Sequence, residues 1–198
     1  MPKTYEEMLD GSFDAVLREA DSLYQTGGRL RETYDRVHGR LTELGVAHVL
    51  VGGYALILHG VRRFTEDIDL LVTDAGLEQL RDALLGRGYV SVPATSRSLR
   101  DTTTRVRIDF VVAGHFPGDG KPKPVVFPDP AQATEIVQGQ AVVGLATLIE
   151  LKLASGMTGK GRLQDLADVQ RLIQTHALSA AYAERLEPSV RAKFLELL

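Results

Sequence analysis

The chain has 198 residues, 44% hydrophobic and 25% charged, with 23 Lys and Arg against 26 Asp and Glu, a formal net charge of -3 and no cysteine. That length supports a real core in one domain with appended helices, and the missing cysteines exclude disulfide and thiolate chemistry. A pI near 6.0 argues against gripping nucleic acid over the whole surface, although a local basic groove stays open.

In chain order, two amphipathic helices are expected near Ser12 to Gln25 and Leu30 to Leu44, with Gly27 and Gly28 as the break. His48 to Val51 reads as a strand running into Gly52 and Gly53, and Tyr54 to Gly60 as a short helix stopped by Gly60. Asp67 to Val72 is a second strand. Asp74 to Leu85 has helical periodicity and ends at Gly86 or Gly88; Tyr89 to Val92 returns to strand, and Arg105 to Val112 alternates and then turns apolar as a half-buried strand does. Gly114 to Pro130, rich in Pro and Gly, is loop with a short edge strand at Val125 to Phe127. Glu135 to Val143 forms a hairpin around Gly139, and the remainder is helical. Helices between strands with a hairpin-rich middle give an α+β fold, a small mixed sheet with helices mainly on one face. Residues 1–45 form an N-terminal helical segment, 46–143 the core and 144–198 a C-terminal helical segment, all one compact unit. No apolar run spans a bilayer and the acidic start from Met1 to Ala20 is unlike a signal peptide, so no membrane partner is expected and the cytoplasm is the expected compartment.

The chemistry concentrates between Gly52 and Asp69. In a strand, residues i and i+2 point to the same side, so Asp67 and Asp69 face one point. Two like charges held that close resist ionisation unless a cation neutralises them, and oxygen ligands suit a hard ion such as Mg²⁺ better than Zn²⁺. Upstream, strand, glycine turn and helix start together present backbone N–H groups and allow a phosphate near the main chain. Arg63 and Thr65 lie between the two halves. The five histidines show no paired metal-ligand spacing.

This pattern of diglycine, short helix and Arg-x-Thr-x-Asp-Ile-Asp, with a later strand carboxylate at Asp109, resembles the nucleotidyltransferase superfamily of the polymerase-β type. Within it the likeness is strongest to the AbiEii/AbiGii-toxin-like nucleotidyltransferases of bacterial toxin–antitoxin systems. Gly144 to Ala154 is similar to the family helix that carries a lysine near the nucleotide, here Lys152, and Arg162 to Val169 resembles the family's Arg-x-Lys-Asp-x-x-Asp element, with Gln164 in place of the lysine before Asp165. The likeness covers about residues 46 to 173, and the terminal segments carry no matching motif. It implies the same α+β fold, with the C-terminal helices closing over the nucleotide.

The resemblance also implies a reaction, transfer of a nucleoside monophosphate from an NTP, and roles within it. Asp67, Asp69 and Asp109 would hold two Mg²⁺ ions about 3.5–4 Å apart, with Asp109 next to the acceptor hydroxyl. Gly52 and Gly53 would hold phosphates through backbone N–H groups, Arg63 and Thr65 would steady the triphosphate, Lys152 would neutralise its charge, and Asp165 would sit at the nucleotide. Structural readings stand beside these: Arg63 covering the preceding helix, Thr65 as a β-former, Lys152 snorkelling, and Asp165 with Asp168 favoured by a helix macrodipole. Arg97, Arg100, Arg105, Arg107, Lys121 and Lys123 are a set of cations that could form a substrate edge or be ordinary solvated residues. Three functions follow: a toxin modifying RNA, at a tRNA end in the sense the family implies, with a cognate antitoxin; an antibiotic-type enzyme modifying a small molecule; and a non-catalytic nucleotide- or partner-binding protein of the same fold.

Overall fold

Asp-Ile-Asp-Leu-Leu-Val and Arg-Ile-Asp-Phe-Val-Val, two strand sequences that alternate between polar and apolar residues, lie side by side at the centre of the sheet and determine what leaves it on each face. The computed structural model describes residues 3–10, 28–92 and 97–198. Over these the chain runs α1 (Tyr5–Asp10), α2 (Arg29–Glu43), β1 (His48–Val51), α3 (Gly52–Leu58), β2 (Asp67–Val72), α4 (Asp74–Leu84), β3 (Tyr89–Ser91), β4 (Ser98–Asp101), β5 (Arg107–Val112), β6 (Thr134–Val137), β7 (Gln140–Val143), α5 (Leu145–Thr158) and α6 (Leu163–Thr175). A 3-10 helix (Ala180–Arg185) and α7 (Pro188–Glu196) complete it. The helix expected near Ser12 to Gln25 lies outside the described residues.

The seven strands form one mixed sheet in the order β3-β4-β5-β2-β1-β7-β6. β2 is parallel to β5 and β1 to β7; the other neighbours are antiparallel. This is the α+β class expected. Val49, Leu50, Ile68, Leu70, Leu71 and Ile108 are fully buried, and each such side chain contributes roughly 1.5–3 kcal/mol relative to exposure. Because this burial fixes β2 and β5 in register, their polar residues are fixed too. No described helix is long and apolar enough to cross a membrane.

The hairpin around Gly139 forms as β6 and β7, with Gly139 at φ 78. Four details depart from the expectations. α3 begins at Gly52 and ends at Leu58, so the two glycines form its first turn instead of preceding a helix that starts at Tyr54. β4 was not anticipated: Ser-Leu-Arg-Asp carries one apolar residue and takes its strand form from pairing with both β3 and β5. β5 starts at Arg107 rather than Arg105, because Arg105 sits at φ 69 in the turn after β4. Val125 to Phe127 forms no strand, although Phe127 exchanges backbone hydrogen bonds with Gly114 and His115. The histidines, scattered in sequence, are partly gathered by the fold: His48 donates from Nδ1 to the Val46 carbonyl, which leaves its Nε2 to accept from His38 Nδ1 at 2.7 Å.

Candidate active site

Sheet register assembles the acids. Asp69 pairs with Asp109 across the parallel β2–β5 ladder, Ser98 with Asp109 on the other side, and Val51 with Asp69 from β1. One row across four strands therefore carries Ser98, Asp109, Asp69 and the residue before the glycine turn, with Asp67 and Arg107 paired one step along the same face. Each of Asp67, Asp69 and Asp109 offers a carboxylate oxygen, and these atoms lie within 4.8 Å of one another. They open onto a cleft of about 250 Å³, also lined by Gly52, Gly53, Arg63, Thr65, Lys152, Ser155, Arg162 and Asp165. All the residues expected at the site thus border a single cleft.

The glycine turn is a requirement of Asp69. Gly52 has φ +64, and a Cβ there would fall 1.9 Å from Asp69 Oδ2 and 2.8 Å from Asp69 Cβ, too close for a side-chain rotation to relieve. Gly53 donates its N–H to Asp69 Oδ2 at 3.4 Å, and a Cβ on Gly53 would meet Thr65 Oγ1 at 2.4 Å. Gly52→Ala is therefore expected to destabilise the fold by about 1–3 kcal/mol and to displace Asp69. Urea denaturation would measure the first effect and divalent-ion binding the second; a variant equal to wild type in both would show that the close approach is unimportant.

Charge is poorly balanced among the acids. Burial pushes the Asp69 carboxyl up to about 7, helped by the like charges of Asp67 and Asp109 and opposed by Lys152 and the Gly53 N–H. Asp109 is also raised, chiefly by burial, against the hydrogen bond from Ser98 Oγ and the nearby Arg107. Thr65 Oγ1 donates to Asp67 Oδ1 at 3.1 Å. Arg107 Nη2 reaches Asp67 Oδ2 at 2.9 Å and Asp109 Oδ2 at 3.0 Å. Sequence reading left Arg107 among cations of a substrate edge or ordinary solvated residues and missed Ser98; the Arg107–Asp67 and Ser98–Asp109 contacts depend on which strands become neighbours.

The opposite wall comes from α5 and α6. Lys152 does not snorkel to water: its side chain is 8% exposed and its ammonium lies 2.7 Å from Asp165 Oδ1 and 2.8 Å from Asp168 Oδ2. Asp165 also accepts from Ser155 Oγ at 2.7 Å and pairs with Arg162 at 3.0 Å. Burial works against the Asp165 charge, yet Lys152, Ser155 and Arg162 together hold its carboxyl below the ordinary value. Asp168, fully buried, accepts from Arg63 Nη1 at 2.8 Å and from Gln164 Nε2 at 3.1 Å as well. Arg63 therefore ties the segment after α3 to α6, and Gln164 supplies an uncharged donor to the acid four residues on. These contacts account for Asp165 and Asp168 more fully than a helix macrodipole does.

The cations expected along the substrate edge are dispersed. Arg100 pairs with Glu6 of α1 at 2.8 Å and donates to the Arg105 carbonyl, while Lys123 pairs with Asp119. Arg107 belongs to the acids, Arg97 lies 3.2 Å from His115 Nδ1, and Lys121 is exposed. A second cavity of about 590 Å³ adjoins the cleft at Arg107, Asp109, Val111 and Phe127, and is lined further by Arg97, Ser98, His115 and Phe116.

Against known proteins, the family model described as "Nucleotidyl transferase AbiEii toxin, Type IV TA system" matches residues 41–195, a span that contains every residue of the cleft. No curated relative matches the sequence. The crystal structure of ANT(2")-Ia in complex with adenylyl-2"-tobramycin is similar over 83% of this chain and 96% of that one, with a TM-score of 0.54 and 13% identity. The solution structure of ANT(2'')-Ia gives 0.53 and 14% over 82% and 91%. JHP933 from Helicobacter pylori gives 0.41 and 17% over 79% and 73%. The two ANT(2'')-Ia structures show a shared nucleotidyltransferase fold. With most of its length matched by the family model, the chain belongs to the AbiEii nucleotidyltransferase family.

Proposed function

We propose that this nucleotidyltransferase moves a nucleoside monophosphate from an NTP to a hydroxyl of RNA, a tRNA end above all, in a Mg²⁺-dependent reaction, and that it acts as the toxin of a toxin–antitoxin pair in the cytoplasm. The observation that carries the reaction is the convergence of Asp67, Asp69 and Asp109 beside the Gly52–Gly53 turn in one cleft. Membership of a toxin family supports the biological role and implies a cognate antitoxin.

The residues fit a hard divalent ion. Their donors are all carboxylate oxygens, and the cluster has already recruited a cation in Arg107. Magnesium held by Asp67, Asp69 and Asp109 would supply the positive charge that lets an anionic triphosphate and an attacking oxygen approach each other. Gly52, Gly53, Thr65 and Arg63 line the same cleft, where they would border the triphosphate. Arg162, 58% exposed and paired only at the cleft wall, is better placed than the buried Lys152 to swing onto the outer phosphates. Lys152 holds Asp165 and Asp168 in place and adds its charge from behind them. Asp109, with its carboxyl raised by burial and steadied by Ser98, takes the acceptor proton. As that oxygen bonds to the α-phosphorus, the bond to pyrophosphate breaks and pyrophosphate carries away the electron pair.

A second acceptor class is favoured by one observation: Arg100 and Lys123 are paired within the chain, which leaves fewer cations for a polynucleotide. The small-molecule reading also shares its fold with ANT(2")-Ia, whose structure contains adenylyl-2"-tobramycin. Incubation with each α-labelled NTP, Mg²⁺ and either total tRNA or a panel of aminoglycosides and lincosamides separates the two. Label is expected on tRNA. Label on an antibiotic alone would reassign the acceptor, and no transfer from any NTP to either acceptor class would reject the reading.

A further inference from the structure

Arg107 brings a positive charge directly to two of the three acids, and it does so awkwardly. A guanidinium normally meets a carboxylate with two parallel N–H groups. Here the single nitrogen Nη2 spans two carboxylates, Asp67 at 2.9 Å and Asp109 at 3.0 Å. The Arg107 Nε is buried and has no hydrogen-bond partner among the described residues, a cost that a better-formed ion pair would avoid. The side chain is nonetheless 38% exposed, and it borders both the cleft and the adjoining cavity of about 590 Å³. Space beside the guanidinium therefore exists in a cavity whose lining includes Arg97 and Ser98 but neither Asp67 nor Asp69.

We propose that Arg107 is a resident counter-cation that a divalent ion must displace: it holds Asp67 and Asp109 together when no ion is bound and sets the concentration at which an ion enters. Arg107 is thus a positioning residue that acts through the acids. Two of the three carboxylates have an oxygen in contact with it, so an arriving ion competes with both contacts and meets a positive charge as it does so. Movement into the larger cavity relieves that repulsion and gives the orphaned Nε access to water. This inference rests on the metal reading above, but it concerns affinity rather than turnover.

The test is Mn²⁺ binding to the full chain at pH 8, read by electron paramagnetic resonance, for wild type, Arg107→Ala, Arg107→Gln and Arg107→Lys. Removing the charge is expected to tighten Mn²⁺ binding about tenfold or more, with Arg107→Lys close to wild type. Arg107→Gln keeps a hydrogen-bonding side chain and serves the same comparison where Arg107→Ala folds poorly. Equal or weaker binding in the two charge-free variants would overturn the displacement, while leaving the metal site intact. Failure of every protein, wild type included, to bind Mn²⁺ would overturn the metal reading and this inference with it.

Discussion

Asp69→Asn is expected to lower nucleotidyl transfer more than a hundredfold while making the metal-free protein more stable above neutral pH. Loss of a group that only orients a metal ligand typically costs 10- to 100-fold, so loss of a ligand itself should exceed that range. The stability effect has the opposite sign because the Asp69 carboxyl, with an ordinary value of 3.8, is pushed up to about 7 by burial and by Asp67 and Asp109. Between about pH 4 and 7 the folded chain keeps a proton that the unfolded chain has released. Stability of the metal-free wild type therefore falls as pH rises through that window, by on the order of 2–4 kcal/mol. Asparagine carries no charge to bury, so the variant should lose this slope and be the more stable protein at pH 8 and no more stable at pH 4. Denaturation curves at pH 4 to 8, with and without Mg²⁺, would check each part. A wild-type slope in the variant, or transfer at the wild-type rate, would remove Asp69 from the centre of the site.

What could be read from sequence follows from how local each feature is. Asp67 and Asp69 were legible because two residues in one strand fix their own relative direction, and the flanking Ile68, Leu70 and Leu71 announce that the strand is buried. Gly139 announced its hairpin, and Gly86 with Gly88 the end of α4, because turn geometry is a property of a few adjacent residues. Asp109 was placed by resemblance and then by parallel register, which no local pattern specifies. β4 was hidden for the same reason, since a polar four-residue segment becomes a strand only when neighbours supply its hydrogen bonds.

Charge was the least legible property. Six cations near β5 could form a basic edge when counted along the chain; Lys123 is paired locally with Asp119 and Arg107 with Asp109, but folding also delivers Asp67 from β2 to Arg107 and Glu6 from α1 to Arg100. Their partners lie up to 94 positions away. Sequence counts of one sign of charge overstate a patch whenever the acids that will neutralise it are distant in the chain. The same reasoning explains Lys152, whose apolar helix suggested snorkelling because Asp165 and Asp168 belong to the next helix.

Lys152→Met is expected to destabilise the protein by about 3–5 kcal/mol, the cost of leaving buried carboxylates without their cation. Methionine keeps the apolar stem packed against α5 neighbours, so a cavity contributes little to that loss. The two acids will not suffer equally: Asp168 retains Arg63 and Gln164, whereas Asp165 keeps Ser155 and the mostly exposed Arg162. In the wild type the Asp165 carboxyl lies below its ordinary value, so its contribution to stability is present at neutral pH and is lost only as pH falls through that depressed value. Without Lys152 the same carboxyl protonates at higher pH, which relieves the buried charge, and the gap between variant and wild type should narrow as pH drops from 7 towards 4. Adding Asp165→Asn to Lys152→Met should recover part of the loss at pH 7, because the uncompensated acid is gone. Nucleotide titration then separates structure from binding: if Lys152 also neutralises the triphosphate, the double variant will remain weak for NTP after its stability has partly returned. A pH-independent gap with no recovery in the double variant would show that Lys152 matters for packing rather than for charge.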